Sequence, residues 1–186
     1  MRVTVLLLGL LVLGLPGARP AAAQHYDAAP QVEGRVSGGA ANVRASMDVA
    51  ASPEAVFAVL SDCDGAPRFM RRLISCRVLE SGEGWDVREH RVRGWLLQPV
   101  LRNVARVELE PYRRLAFHRL AGDWTRSDGE WVLRPIDGGR GTHVDYRVAA
   151  DFAGPLPHSA TQALLVRDVR AMLLSLRDIA EARAAR

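Results

Sequence analysis

The stretch "MDVAASPEAVFAVLSDCDGAPRFM", residues 47–70, holds the end of a strand, a deliberately started helix and an abrupt corner. Ser52 suits the N-cap, Pro53 the first helical position, and Glu54 puts negative charge where the helix dipole favours it. Val56, Phe57, Val59 and Leu60 recur at helical spacing, so a helix is predicted over Pro53 to Asp62. Asp62-Cys63-Asp64-Gly65 and Pro67 then break it, and a second short helix is predicted over Ala66 to Leu73. No base, nucleophile or metal ligand is readable beside Asp62 or Asp64. The corner therefore reads as structural, its acids capping helix ends.

Upstream lies a segment of another kind. Met1-Arg2 is a positive start, Val3 to Leu15 is apolar, Pro16-Gly17 breaks the run, and Ala21-Ala22-Ala23 offers an A-x-A site before Gln24. Residues 1–23 thus read as a secretory signal peptide, and the expected location is periplasmic or secreted. The apolar run falls short of the roughly 20 residues of a membrane span; an uncleaved anchor is the alternative. Residues 24–42, rich in Ala, Gly and Pro, read as a leader that adds an early strand around Gln31 to Val36. The domain proper is read over residues 43–186.

Charge makes no case for a nucleic-acid partner, while attraction to an anionic lipid surface stays open. The 25 basic residues are all arginine, set against 21 acids, and loss of Arg2 and Arg19 lowers the net charge from +4 to +2. Interleaved signs on an exported chain argue against nucleic acid. The two cysteines, Cys63 and Cys76, are an even count for an oxidising compartment and predict a disulfide, with two separate buried thiols as the alternative. There is no C-x-x-C and no histidine at ligand spacing, so no metal is expected.

From Asn42 onward the period changes along the chain. Val43 to Val49 reads as a strand before the capped helix. Strand-like runs follow over Cys76 to Glu80, Trp85 to Arg93, Asn103 to Glu110, Arg114 to Ala121, Ser127 to Ile136 and Thr142 to Asp151. Asp137-Gly138-Gly139 marks a hairpin, and consecutive strands with tight turns argue for an antiparallel meander. The chain ends differently. Ser159-Ala160-Thr161-Gln162 reads as a capping box, and Leu165, Val169, Met172, Leu176 and Ile179 form one apolar stripe of a helix reaching about Arg183.

This order resembles the SRPBCC superfamily, which includes START lipid-binding domains, polyketide cyclases and coenzyme Q-binding proteins. The resemblance rests on "MDVAASPEAVFAVLSDCDGAPRFM", on "CRVLESGEGWDV" and on "AGDWTRSDGEWVLRPIDGGRGTHVDYRV" followed by the long helix. It implies an α+β helix-grip fold: a curved antiparallel sheet, with two short helices, wrapped around a long C-terminal helix. It also implies a cavity between sheet and helix. In that fold a Cys63–Cys76 bond would tie the helical corner to the next strand.

Catalytic signatures are lacking. There is no G-x-S-x-G, H-E-x-x-H, phosphate loop or dinucleotide fingerprint, so no cofactor is expected and no catalytic residue is assigned. His143 and His118 alternate away from apolar neighbours and read as solvent-facing, and the face of His90 is ambiguous. Alternation instead gathers apolar groups. The expected lining is Phe69, Trp95, Phe117, Trp131 and Tyr146 from the sheet side, with Leu165, Val169 and Met172 from the helix. Glu89 shares a face with Val87, and Arg119 with Phe117; both are candidates to orient a ligand's polar end, or else reach solvent at the rim. "GWLLQPVLR", residues 94–102, crowds apolar residues into a strand connection, and Trp95 to Leu101 could make transient membrane contact. The reading is an exported binder of a hydrophobic small molecule or lipid, quinone-like ligands included. A polyketide cyclase or dehydratase-like enzyme, and a cavity-less envelope interaction module, are the alternatives.

Overall fold

Backbone pairing begins inside the segment read as a leader. In the computed structural model, which describes residues 25–94, 99–151 and 157–186, strand β1 (Gln31–Ser37) runs antiparallel to β2 (Ala40–Val49). Helix α1 (Pro53–Ser61) follows, and Ser52 caps it by accepting the Ala55 N–H at 3.4 Å. The meander is then β3 (Leu73–Gly82), β4 (Trp85–Arg93), β5 (Val100–Glu110), β6 (Arg114–Gly122), β7 (Ser127–Ile136) and β8 (Gly141–Asp151), before the long helix α2 (His158–Ala184). One sheet takes them all, in the order β1-β2-β8-β7-β6-β5-β4-β3, each pair antiparallel.

The two edges of this sheet meet the same stretch of α2. On β1, a Cβ added to Gly34 would lie 2.9 Å from Val166 Cγ2, so only glycine lets the helix come this close. At the other edge, Arg72, just before β3, pairs with Asp168 at 3.6 Å. A sheet whose first and last strands flank one helix must be curved around it. This is the helix-grip arrangement, and the side of the sheet turned toward α2 is its inner face.

Register identifies that face, because residues opposite each other in an antiparallel pair share a side. One row runs Val43, Val148, Gly129, Phe117, Val107, Asp86 across β2, β8, β7, β6, β5 and β4. The next runs Ala45, Tyr146, Trp131, Leu115, Leu109. With Leu165, Val169, Met172, Leu173 and Leu176 of α2, most of these form one buried apolar cluster. Burial at about 25 cal/mol per Å² makes this cluster the main source of stability.

Three local expectations change. The second short helix is only a single 3-10 turn, Ala66–Arg68; Pro67 supplies no N–H, and the chain is already in β3 by Leu73. Ser159 does not cap α2, which starts at His158 with Pro157 at the N-cap and no side-chain cap; the Thr161 hydroxyl instead donates to Pro157 O at 3.2 Å. His143 lies on the outer face but is not freely solvated, since it bonds Asp48 and lies 3.5 Å from Asp145.

The opening corner is structural. Asp62 Oδ1 accepts the Gly65 N–H at 2.9 Å, and Oδ2 accepts from Arg68 at 3.0 Å and from Arg183, near the end of α2, at 2.9 Å. The Gly65 hydrogen bond first, and Arg183 next, hold its carboxyl below the ordinary carboxylate range. Cys63 and Cys76 are bonded, with Cα atoms 5.4 Å apart, joining this corner to β3.

Candidate functional site

The inner face is apolar over β2, β8 and β7 and becomes polar over β4 to β6. Opposite the inward side chains of β5 stand Asp86, Arg88 and His90 of β4, paired in register with Val107, Ala105 and Asn103. Asp86, Arg88 and Asn103 are all buried, at 7%, 4% and 3% exposure. Arg88 is consumed by structure: Nε and Nη2 each reach Asp86 at 2.8 Å, and Nη1 and Nη2 donate to the Leu60 and Ser61 carbonyls at the end of α1. A fork of this kind satisfies a buried charge and ties the sheet to the helix that closes its end.

His90 differs. Burial above all, with the Arg88 cation adding to it and Asp86 opposing, pushes its imidazole down to about 4. It is therefore neutral at physiological pH. In the next strand Asn103 lies across from Gly122, and Arg119 of β6 lies across from Ala105. Arg119 Nη2 donates to Gly122 O at 3.0 Å, so its guanidinium folds back toward the Asn103 row. Among the described residues, three buried side-chain atoms have no hydrogen-bond partner: Asn103 Oδ1 and Arg119 Nε here, and Arg177 Nε on α2.

The expected lining residues separate accordingly. Phe69, Trp131, Tyr146, Leu165, Val169 and Met172 are buried in the common cluster, with Phe117 packed against it and only partly buried. The Trp131 and Tyr146 rings lie 4.2 Å apart, tilted by 35°, and full burial pushes the Tyr146 hydroxyl well above the ordinary phenol range. Trp95 lies outside the described residues. Arg119 is on the inner face as expected, but Glu89 is not. Its strand turns the opposite phase inward, and Glu89 sits outside, bonded to Arg102 at 2.6 Å and near Arg77 at 3.7 Å. The Arg102 hydrogen bond holds its carboxyl below the ordinary range.

Sequence reasoning missed Asp86, Arg88 and Asn103. The strand WDVREHRVR carries polar residues on both faces, and Val87 was the misleading guide. A usable signal was present in the opposite charges of Asp86 and Arg88 two apart, which share a face and can neutralise each other.

A family model described as polyketide cyclase / dehydrase and lipid transport matches residues 49–177. The chain belongs to that family. The matched span runs from the end of β2 to Arg177 of α2, so the polyketide cyclase / dehydrase and lipid transport family embraces the whole inner face from β3 to β8. Solved structures share the fold. The Zhui aromatase/cyclase from Streptomyces sp. R1128 is 23% identical with a TM-score of 0.64, covering 77% of this chain and 95% of that one. A STAR-related lipid transfer protein from Xanthomonas axonopodis is 17% identical with a TM-score of 0.70, covering 82% and 94%. A protein from Thermus thermophilus is 22% identical with a TM-score of 0.67, covering 77% and 99%. No curated protein matches the sequence.

Proposed function

We propose that this protein is an exported binder of a hydrophobic small molecule or lipid, held between the inner face of the sheet and α2. One observation carries the reading. Val148, Gly129 and Phe117 are neighbours in the middle of the inner face, on β8, β7 and β6, yet all three are only partly buried. Inward-facing groups at the centre of a curved sheet are sealed when protein side chains fill the space. Here a strip across three strands stays partly accessible, with the Phe117 ring lying over Gly129, where an added Cβ would meet it at 2.5 Å. Apolar walls with few polar groups suit an apolar ligand. The names of the structural relatives, a lipid transfer protein and an aromatase/cyclase, accord with this.

The test narrows the space from the helix side. Val169 is buried in the cluster, and Val169→Phe adds bulk toward the sheet. A folded variant, checked by its melting transition, should lose the apolar ligand that wild type carries. Equal binding by both proteins would place the ligand elsewhere.

Export rests on residues 1–23, which lie outside the described residues; the Cys63–Cys76 bond accords with an oxidising compartment. Intact mass of the exported protein should begin at Gln24, and a retained Met1 in the membrane fraction would refute it. Membrane contact through Trp95 to Leu101 belongs to the same proposal. Trp95 to Gln98 lie outside the described residues, while Val100 is 49% exposed and Arg91, Arg93 and Arg102 surround it in register. A cyclase or dehydratase-like enzyme is the second reading, favoured by neutral His90 on the inner face. It requires His90→Ala to abolish turnover while ligand binding survives.

A further inference from the structure

We infer that the ligand carries a hydroxyl group, an alcohol or phenol, received at the polar end of the inner face by Asn103 and Arg119. This deepens the proposed function and rests on it.

The inference starts from two buried atoms. Asn103 is 3% exposed, yet its Oδ1 has no partner among the described residues, and neither has Arg119 Nε. A buried polar group without a partner costs about 1–3 kcal/mol, so native interiors rarely keep two in one place without a use. The contrast with Arg88 is instructive. That guanidinium faces the same interior two residues from His90, and four hydrogen bonds to Asp86, Leu60 and Ser61 account for it. It is a structural clamp. Arg119 has its backbone N–H held by Asp128 at 3.2 Å and one side-chain bond to Gly122 O, while Nε is left over.

The two orphans are brought together by topology. Gly122 is the register partner of Asn103, and the Arg119 guanidinium is anchored on that same Gly122. A residue inserted in β6 at Leu120 makes this possible, because the pairing steps from Ala105↔Arg119 to Val104↔Ala121. The bulge turns Arg119 back along its own strand toward the Asn103 row. Apolar Phe117 lies two residues away on the same face, so the polar end adjoins the accessible apolar strip.

Chemistry narrows the group. Arg119 Nε offers only a donor, so the ligand must accept there. Asn103 Oδ1 offers only an acceptor, so the ligand must donate there. A hydroxyl meets both demands, since it donates and accepts. A carboxylate, ketone or ether can only accept, and a hydrocarbon does neither. The neutral state of His90, across from Asn103 in β4, adds no second positive charge that would favour an anion.

The probes are 2-naphthol and 2-methoxynaphthalene, which share a flat apolar body and differ in the donor. Wild type should bind 2-naphthol at least about tenfold more tightly by isothermal titration, although the ether is the more apolar compound, because a site built for a hydroxyl is left unpaired by its analogue. Asn103→Leu removes the acceptor that the ether cannot meet and should erase the preference, whereas Arg119→Met removes a donor that either oxygen can meet and should weaken both compounds while the preference persists. Arg119 is only partly buried, so Arg119→Met still serves if Asn103→Leu does not fold, read by the weaker binding of both compounds. Equal affinity of wild type for both compounds overturns this inference and leaves the apolar-ligand reading standing. A preference that survives in folded Asn103→Leu, or unchanged binding of both compounds by Arg119→Met, also overturns it. Binding of neither compound overturns both.

Discussion

His90 should make the protein lose stability in mild acid, by an amount that can be worked out. Its imidazole titrates at about 4 in the folded protein against 6.5 for the free side chain, because burial and the Arg88 cation disfavour its charged form. Between those two values the unfolded chain binds a proton that the folded chain refuses. Stability is therefore insensitive to His90 above pH 6.5, falls as pH drops from 6.5 toward 4, and is flat again below. The full effect is about 3 kcal/mol, and at pH 5 about 2 kcal/mol. Urea denaturation of wild type, His90→Gln and His90→Leu at pH 7.5 and pH 5 reads it directly. Each variant should lose about 2 kcal/mol less than wild type between the two conditions, whatever its stability at pH 7.5. Groups elsewhere cancel in that difference. An equal loss in all three proteins, or an NMR titration of His90 with a midpoint near 6.5, would refute the claim that the inner face of β4 is shielded.

Other consequences concern the clamps. Arg88→Met should destabilise by about 3–5 kcal/mol, since it strands the buried Asp86 carboxylate and frees two α1 carbonyls; the double variant Asp86→Leu/Arg88→Met, measured by the same denaturation, should recover much of that. Loss of the Cys63–Cys76 bond, which closes a loop with a sequence separation of 13, should lower stability by about 3 kcal/mol in the chain-entropy picture. Comparison of the oxidised protein with a Cys63→Ser/Cys76→Ser variant checks it, and equal midpoints would contradict it.

Where sequence patterns had one dominant physical cause, they were readable. Ser52, Pro53 and Glu54 start α1 because all three favour the same helix end. Alternation in Trp131-Val132-Leu133 and Val144-Asp145-Tyr146 fixes which residues face α2 because one side is apolar. Periodicity failed where both faces of a strand are polar. In β4 the inward phase is set by Asp86 and Arg88 neutralising each other and by the reach of Arg88 to α1, a tertiary contact that no window of that strand contains. Glu89 was misplaced for that reason. The bulge at Leu120, which aims Arg119, depends on pairing with β5 and so was invisible locally. Ser159 had the composition of a cap, but α2 begins at His158 with Pro157 at the N-cap, two residues earlier than a Ser159 cap would give.

The most direct test of an apolar ligand beneath α2 is native mass spectrometry of the protein purified from its own compartment, beside the Val169→Phe variant purified identically. The account predicts a discrete apolar adduct on wild type, released on unfolding and missing from the folded variant. Wild type that carries no adduct and takes up none when offered lipid extract from the same cells would contradict it.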